Sequence, residues 1–340
     1  MSLTQQQITT GVNPHFVNRF VELQAEETPA VALIPKGDPL KNPQAQHPFR
    51  DRKVLSKQGV ADGDDAKGAS YQDTVKIIKS ENYMLDDTVK VGKKAETFVD
   101  QAGVGLGNQY KDEVDRSMSA IKVALDQVVC DTSDARAEGT DGKGSEFRGL
   151  FEWCNNGAQG YDPVPERYRT PANQISTVPV DEFTETVVQG LINSFNDNTG
   201  YMANFNVLAG INISQQVSNW SIFAEASATN NYIRRYQGDA SDKRKVLTSI
   251  VSVLECVGGR AEMHSTRNLR WDRRTNVRDA FSSWSMIGWN EGAVQFRDGW
   301  SPQHEKLGKR GASKEGYISL CTALCADPTK LIKYQPTALT

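Results

Sequence analysis

Between Pro35 and Ser70 the chain offers only five large apolar side chains, Leu40, Phe49, Val54, Leu55 and Val60. They lie among Pro35, Pro39, Pro43 and Pro48 and the acidic turn Asp62-Gly63-Asp64-Asp65. Ordering a backbone costs about 1–2 kcal/mol per residue, and so sparse an apolar set cannot offset that cost. The segments that follow, Tyr71 to Lys79 and Asp87 to Val91, have the β-branched, alternating texture of strands. An extended arm and a hairpin that cannot bury their own apolar surface require a partner surface. This points to a protein built to assemble.

At 340 residues the chain is long enough for two compact units, or for one with appendages, and 38% hydrophobic content implies a thin core. No run approaches the roughly 18 apolar residues of a membrane span, and Met1 to Gln7 has neither the basic nor the apolar region of a signal peptide. Export and membrane insertion are therefore not expected. Lys and Arg number 39 against 42 Asp and Glu, for a net charge of -3, which argues against a protein that coats nucleic acid by neutralising phosphates. The five cysteines, Cys130, Cys154, Cys256, Cys321 and Cys325, are scattered and contain no C-x-x-C pair, so free thiols are expected and no metal site.

Beyond Lys93, Leu106, Tyr110, Val114, Met118, Ile121, Leu125 and Val128 recur at helical steps, with Lys111, Asp112, Asp115 and Arg116 on the other face. A long amphipathic helix ending near Cys130 is expected. Val180, Phe183, Val187, Leu191 and Phe195 outline another, stopped by Asn196 to Gly200, and helix resumes around Ile213 to Phe223. Val246 to Leu254 reads as a strand, Gly258-Gly259 as a turn, and Arg260 to Thr266 as the return strand. Trp284 to Trp289, Ala293 to Phe296 and Tyr317 to Leu324 read as late strands separated by the polar stretch Gly308 to Gly316. A long helix packed on late strands, with another unit between them in sequence, is an α+β arrangement.

Two stretches carry a family likeness. Leu307-Gly-Lys-Arg-Gly-Ala-Ser-Lys-Glu-Gly-Tyr-Ile318, followed by Leu320 to Asp327-Pro328, combines a leucine, a small-residue turn, a basic residue, a terminal strand and a helix breaker. Leu125 to Phe151, with Arg136 and Arg148-Gly-Leu-Phe151, takes a helix end into a loop. In this order the elements resemble the major capsid proteins of tailed bacteriophages that share the HK97 fold, specifically the SU10-type major head protein family, over roughly residues 45 to 335. Where that family carries a carboxylate in its last strand, this chain has Ser319 and Cys321.

The resemblance implies an HK97-like α+β capsid fold. Residues 1–49 would form an N-terminal arm, 50–92 an extended β-hairpin loop, and 93–150 a peripheral domain with a long spine helix. Residues 151–283 would form an axial domain and 284–340 the return to the peripheral domain. The function implied is that of a major capsid protein, not an enzyme. It would assemble as hexamers and pentamers into an icosahedral shell that encloses double-stranded DNA without sequence-specific binding. The virion is the implied location, with assembly in the host cytoplasm, and scaffold, portal and decoration proteins are implied partners; no cofactor is. Residues 1–49 contain no long charged helix, which favours a separate scaffold over a fused one. An encapsulin-like compartment shell is the alternative that shares the fold.

Under this reading the partners of Leu55, Val75, Ile77 and Val89 lie in other copies of the chain. Arg267, Arg270, Arg273, Arg274 and Arg278, with Trp271 among them, form the strongest charge cluster. Three roles stay open for it: contact with nucleic-acid phosphates, weakened by Asp272 and Asp279; ion pairing between subunits; and a solvated surface. Asp62 to Gly68 fails the spacing of a calcium loop, and Gly103-Val-Gly-Leu-Gly107 is not a dinucleotide fingerprint. Cys256 and His264 flank the Gly258-Gly259 turn and could face each other as an activated thiol pair, the basis of a thiol-hydrolase alternative. Cysteine is more often a small buried hydrophobe.

Overall fold

The computed structural model describes residues 28–50, 75–92, 109–132, 139–140, 143–154, 164–222, 253–273, 275–310 and 313–337. Along them run α1 (Pro29–Leu33), β1 (Gln44–Phe49), β2 (Lys76–Glu81), β3 (Tyr83–Gly92), α2 (Gln109–Val129), α3 (Leu150–Trp153), β4 (Ile175–Ser176), α4 (Glu185–Thr199) and β5 (Ala203–Ala209). There follow α5 (Ile211–Ile222), β6 (Val253–Cys256), β7 (Gly259–Ser265), β8 (Trp271–Asp272), β9 (Val277–Arg278), β10 (Met286–Asn290), β11 (Val294–Arg310), β12 (Ser313–Ala326) and β13 (Leu331–Tyr334). The described parts of the smaller of two compact units come from Leu85–Val123 and Pro302–Leu320; those of the larger come from Thr28–Met84, Ala124–Ser301 and Cys321–Thr340.

The larger unit is organised by a six-stranded mixed sheet in the order β4-β13-β10-β5-β7-β6. Strand alternation sends Phe205, Val207 and Ala209 of β5, with Ile332 and Tyr334 of β13, into one core. On α4, Val188, Leu191, Ile192 and Phe195 recur at steps of three, one and three, and this stripe joins Ile213 and Val217 of α5 to cover the sheet. Phe195 meets Phe205 edge-on at 4.9 Å, and Phe183 lies 4.4 Å from Tyr334. Each such buried ring contributes about 1.5–3 kcal/mol by area alone. The expected stop is at Gly200, whose φ of 77° and N–H bond to the Asn196 carbonyl (2.7 Å) close the helix.

In the smaller unit, β12 lies between β11 and β3. Val114, Ser117 and Ile121 form the buried stripe of α2 in this unit, and Ser117 donates to Asp87 of β3. The apolar pattern alone does not point to Ser117. The Tyr110 hydroxyl sits 2.9 Å from His304 Nε2 and donates to the Glu315 carbonyl at 3.3 Å. A side chain at Gly316 would lie 2.2 Å from that hydroxyl, so only glycine allows the approach. The late strands run further than their apolar segments suggest, 17 residues for β11 and 14 for β12. The extra length is polar because ladder hydrogen bonds, rather than burial, define it.

The sequence pattern pairs the strand near Lys79 with the one near Val91. In the structure β2 pairs antiparallel with β1, from Gln44↔Glu81 to Phe49↔Lys76, and β3 joins β11 and β12 instead. One residue, Asn82, separates β2 from β3, too few for even a two-residue hairpin turn. The extended hairpin therefore takes its first strand from the segment read as arm. Gln44 to Phe49 has no run of bulky side chains, and Pro48 is tolerated in a ribbon edge.

Upstream of this ribbon, the segment from Thr28 is tied into the larger unit. Phe296 N–H donates to the Pro35 carbonyl (2.9 Å), Gly37 N–H to the Phe296 carbonyl (2.7 Å) and Leu40 N–H to the Asp298 carbonyl (3.0 Å). Asp126, fully buried near the end of α2, accepts from Val31 N–H (3.0 Å) and from Asn268 Nδ2 (2.8 Å). Replacing Asp126 by Ala strands both donors, at about 1–3 kcal/mol each. We expect Asp126→Ala to lower unfolding free energy in urea by about 2–5 kcal/mol, and Asp126→Asn, which retains one acceptor, to cost less.

Candidate assembly surfaces

Two of the clustered arginines are held inside their own chain. Arg273 pairs with the fully buried Asp131, donates to the Phe147 carbonyl at 2.9 Å, and stacks over the Tyr83 and Phe147 rings at 5.5 and 5.8 Å. Arg270 lies 2.5 Å from Asp279, faces the Phe281 ring at 5.4 Å, and gives its backbone N–H to the Cys130 carbonyl at 2.9 Å. Burial lowers the Arg270 pKa, and the Asp279 charge opposes that shift. Their carboxylate and ring partners are intramolecular. Asp131 lies far upstream in sequence, so no local pattern announces the pair.

Arg267 is exposed and Arg278 half-buried. Burial lowers the Arg278 pKa, with a smaller contribution from the Arg267 charge. Trp271 is occupied within the cluster, its Nε1 donating to Asn276 at 3.1 Å. Arg274 and Leu55 lie outside the described residues.

The β1–β2 ribbon is held at its base and, through the Phe49 ring 5.3 Å from Tyr168, near its other described end. At its base Ala45 packs with Ala323 and Cys325, Ser80 donates to the Leu324 carbonyl at 2.6 Å, and Gln44 donates to Glu81 at 3.0 Å. Towards the other end, Val75 is 47% and Ile77 52% exposed. Val89 departs from the expectation, because it is 6% exposed and packed within its own chain, on a strand that is not part of this ribbon. His47, on β1, has its pKa lowered to about 4, first by burial and then by the Arg297 charge, with Asp327 acting in the opposite sense. Its Nε2 is buried without a hydrogen-bond partner.

A second apolar surface was not legible in the sequence. Tyr201 (42% exposed) and Met202 (72%) precede β5, and Val257 (87%) occupies the turn between β6 and β7. The parallel pairing of β5 with β7 brings the two loops together, with Ala203 N–H donating to the Gly258 carbonyl at 3.2 Å. Three separated residues give no pattern in one dimension. Only strand register makes them neighbours.

That register also separates the expected thiol pair. Cys256 lies opposite Gly259, whereas His264 lies opposite Leu208 of β5. Burial raises the Cys256 pKa, the reverse of thiolate activation. Among the described residues no group of three or more His, Cys, Asp or Glu is placed to hold a metal, and no helix is long and apolar enough to cross a membrane. The acidic turn at Asp62 and the glycines from Gly103 to Gly107 lie outside the described residues.

Solved structures of similar fold include the cyanophage A-1(L) capsid asymmetric unit, with a TM-score of 0.65 at 12% identity, covering 98% of this chain and 99% of that one. The capsid of cyanophage P-SCSP1u gives 0.60 at 13% identity with coverages of 98% and 95%. A chain of Mycobacterium phage Bobi gives 0.59 at 12%, covering 99% and 100%. The fold is that of a phage capsid subunit, the HK97-like α+β class. A family model for the SU10 major capsid protein matches residues 3–328, and the chain belongs to that family. Its function is accordingly that of a structural protein of a capsid shell. No curated protein matches the sequence.

Two measurements test these placements. Arg273→Ala removes the guanidinium paired with the fully buried Asp131, and we expect it to lower unfolding free energy by about 3–5 kcal/mol; Arg267→Ala, at an exposed position, should cost below about 1 kcal/mol. For His47 the folded-state pKa of about 4 lies below the ordinary 6.5, so the unfolded chain binds the proton more readily between these values. Stability should therefore fall as pH falls through that window, and thermal midpoints of His47→Gln should fall less steeply across it.

Proposed function

We propose that the chain is the major head protein of a tailed phage, forming the hexamers and pentamers of an icosahedral shell around double-stranded DNA. Membership of the capsid family across residues 3–328 carries this reading. The anchored ribbon supports its mechanism, because exposed Val75 and Ile77 project apolar surface beyond what the chain covers. Main-chain pairing and apolar contact with a neighbouring copy would complete that surface. The apolar loops at Met202 and Val257 supply a second contact, and Arg267 and Arg278 a polar one. In this reading the work is geometric rather than enzymatic. A net charge of -3 suits an inner wall that confines DNA without gripping it.

In this reading an N-terminal arm precedes an extended loop built on β1 and β2, α2 is the spine helix of a peripheral domain, and the six-stranded sheet forms the axial domain, drawing β10 and β13 from the segment 284–340 expected in the peripheral domain. Assembly takes place in the host cytoplasm and the product is the virion head, with scaffold, portal and decoration proteins as further partners. The full chain, expressed alone and examined by size-exclusion chromatography and negative-stain microscopy, should give shells, tubes or capsomer rings; a stable compact monomer at all concentrations would sink the proposal. The double variant Val75→Asp, Ile77→Asp should keep the monomer's melting temperature, because both sites are exposed, while reducing the assembled fraction at least tenfold.

A further inference from the structure

Lys333 stands in the middle of β13, between Ile332 and Tyr334, which both enter the core beneath α4 and α5. Alternation turns its side chain to the opposite face of the sheet, where the residue is only 6% exposed. Among the described residues no hydrogen-bond or ion-pair partner meets its ammonium group. Its stem is buried while its ammonium, not one of the buried unpartnered groups, opens on solvent. Here the side chain lines a cavity of about 500 Å³, open to solvent, whose wall also carries Thr132, Glu152, Thr177, Gln335 and Thr337.

The donor set limits what can enter. One ammonium, the hydroxyls of three threonines and the Gln335 amide offer a single positive charge with neutral donors around it, a match for one carboxylate. A phosphate carries up to twice that charge and is met by clustered guanidinium groups, which the described residues of this wall lack. Glu152, the one acid among the described wall residues, is half-buried and already has a partner of its own. Burial lowers the Lys333 pKa, with Cys154 and Glu152 acting against that shift and Arg270 with it. An arriving carboxylate would oppose that lowering. A cavity of this size also exceeds a small ion, since a water molecule takes about 30 Å³ of liquid; it has room for a whole acidic side chain and its backbone.

We infer that the cavity over β13 is a receptor for one carboxylate side chain of a second copy of this chain, with Lys333 as its counter-ion. The source of the carboxylate rests on the shell reading; the carboxylate chemistry does not. Two arms keep these apart. With unassembled full-length protein, acetate should raise the thermal midpoint relative to chloride at equal ionic strength by about 2–4 °C near saturation, and Lys333→Met and Lys333→Gln should abolish the difference. Equal responses in the three proteins would overturn the receptor. In assembled particles, a cryo-electron microscopy map should place an Asp or Glu of a neighbouring copy in hydrogen-bond contact with Lys333 Nζ, and Lys333→Met particles should dissociate in urea at least tenfold faster. A cavity holding only solvent or a free anion, or unchanged dissociation, would overturn the second-copy assignment. If the wild-type chain forms no particles, the shell reading fails while the acetate arm still decides the receptor.

Discussion

Two buried carboxylates at the end of the long helix hold the larger unit to a single arrangement. Asp126 takes one bond from Val31 and one from Asn268, and Asp131 takes Arg273. A charge with no access to water must be fully paired where it sits, so each carboxylate fixes the position of chain segments remote in sequence. The segment entering the ribbon and the turn-rich stretch before β10 are both placed by this requirement. Apolar burial supplies most of the stability of the six-stranded core, but it is tolerant of small shifts; hydrogen bonds to a buried ion are not.

That division of labour explains the fate of the arginine cluster. Five guanidinium groups within a dozen residues look like a surface made for something outside the chain. Arg270 and Arg273 instead neutralise Asp279 and Asp131 and stack on Phe281, Phe147 and Tyr83. Of the other described members, Arg267 is exposed and Arg278 half-buried. The ribbon shows the converse. Its apolar side chains are unpaired along part of its length while its base is bonded and packed.

The sequence made the helices legible because their apolar residues repeat within one element: Val114, Ile121, Leu125 and Val128 on α2, and Leu191 with Phe195 on α4. Gly200 marked a helix end for a reason that is entirely local, its access to positive φ. Strand pairing was less legible. Tyr71 to Lys79 and Asp87 to Val91 both read as strands of one hairpin, and nothing in their side-chain pattern shows that β2 and β3 belong to different sheets. Ser117 and Asp126 on α2, and Asp131 just after it, are polar residues whose burial depends on partners that no periodicity can name. The loops at Met202 and Val257, and the cavity beside Lys333, exist only once β5 meets β7 and β13 meets β4.

Neither compact unit is continuous in sequence, and the larger sheet is not built in chain order. β13 pairs with both β10 and β4 and places Ile332 and Tyr334 in the core opposite Phe183. The core therefore cannot close until β13 has docked, although β4, its neighbour in the sheet, precedes it by some 155 residues. Pairings so remote in sequence carry a high loop-closure cost and make the closing step of folding slow.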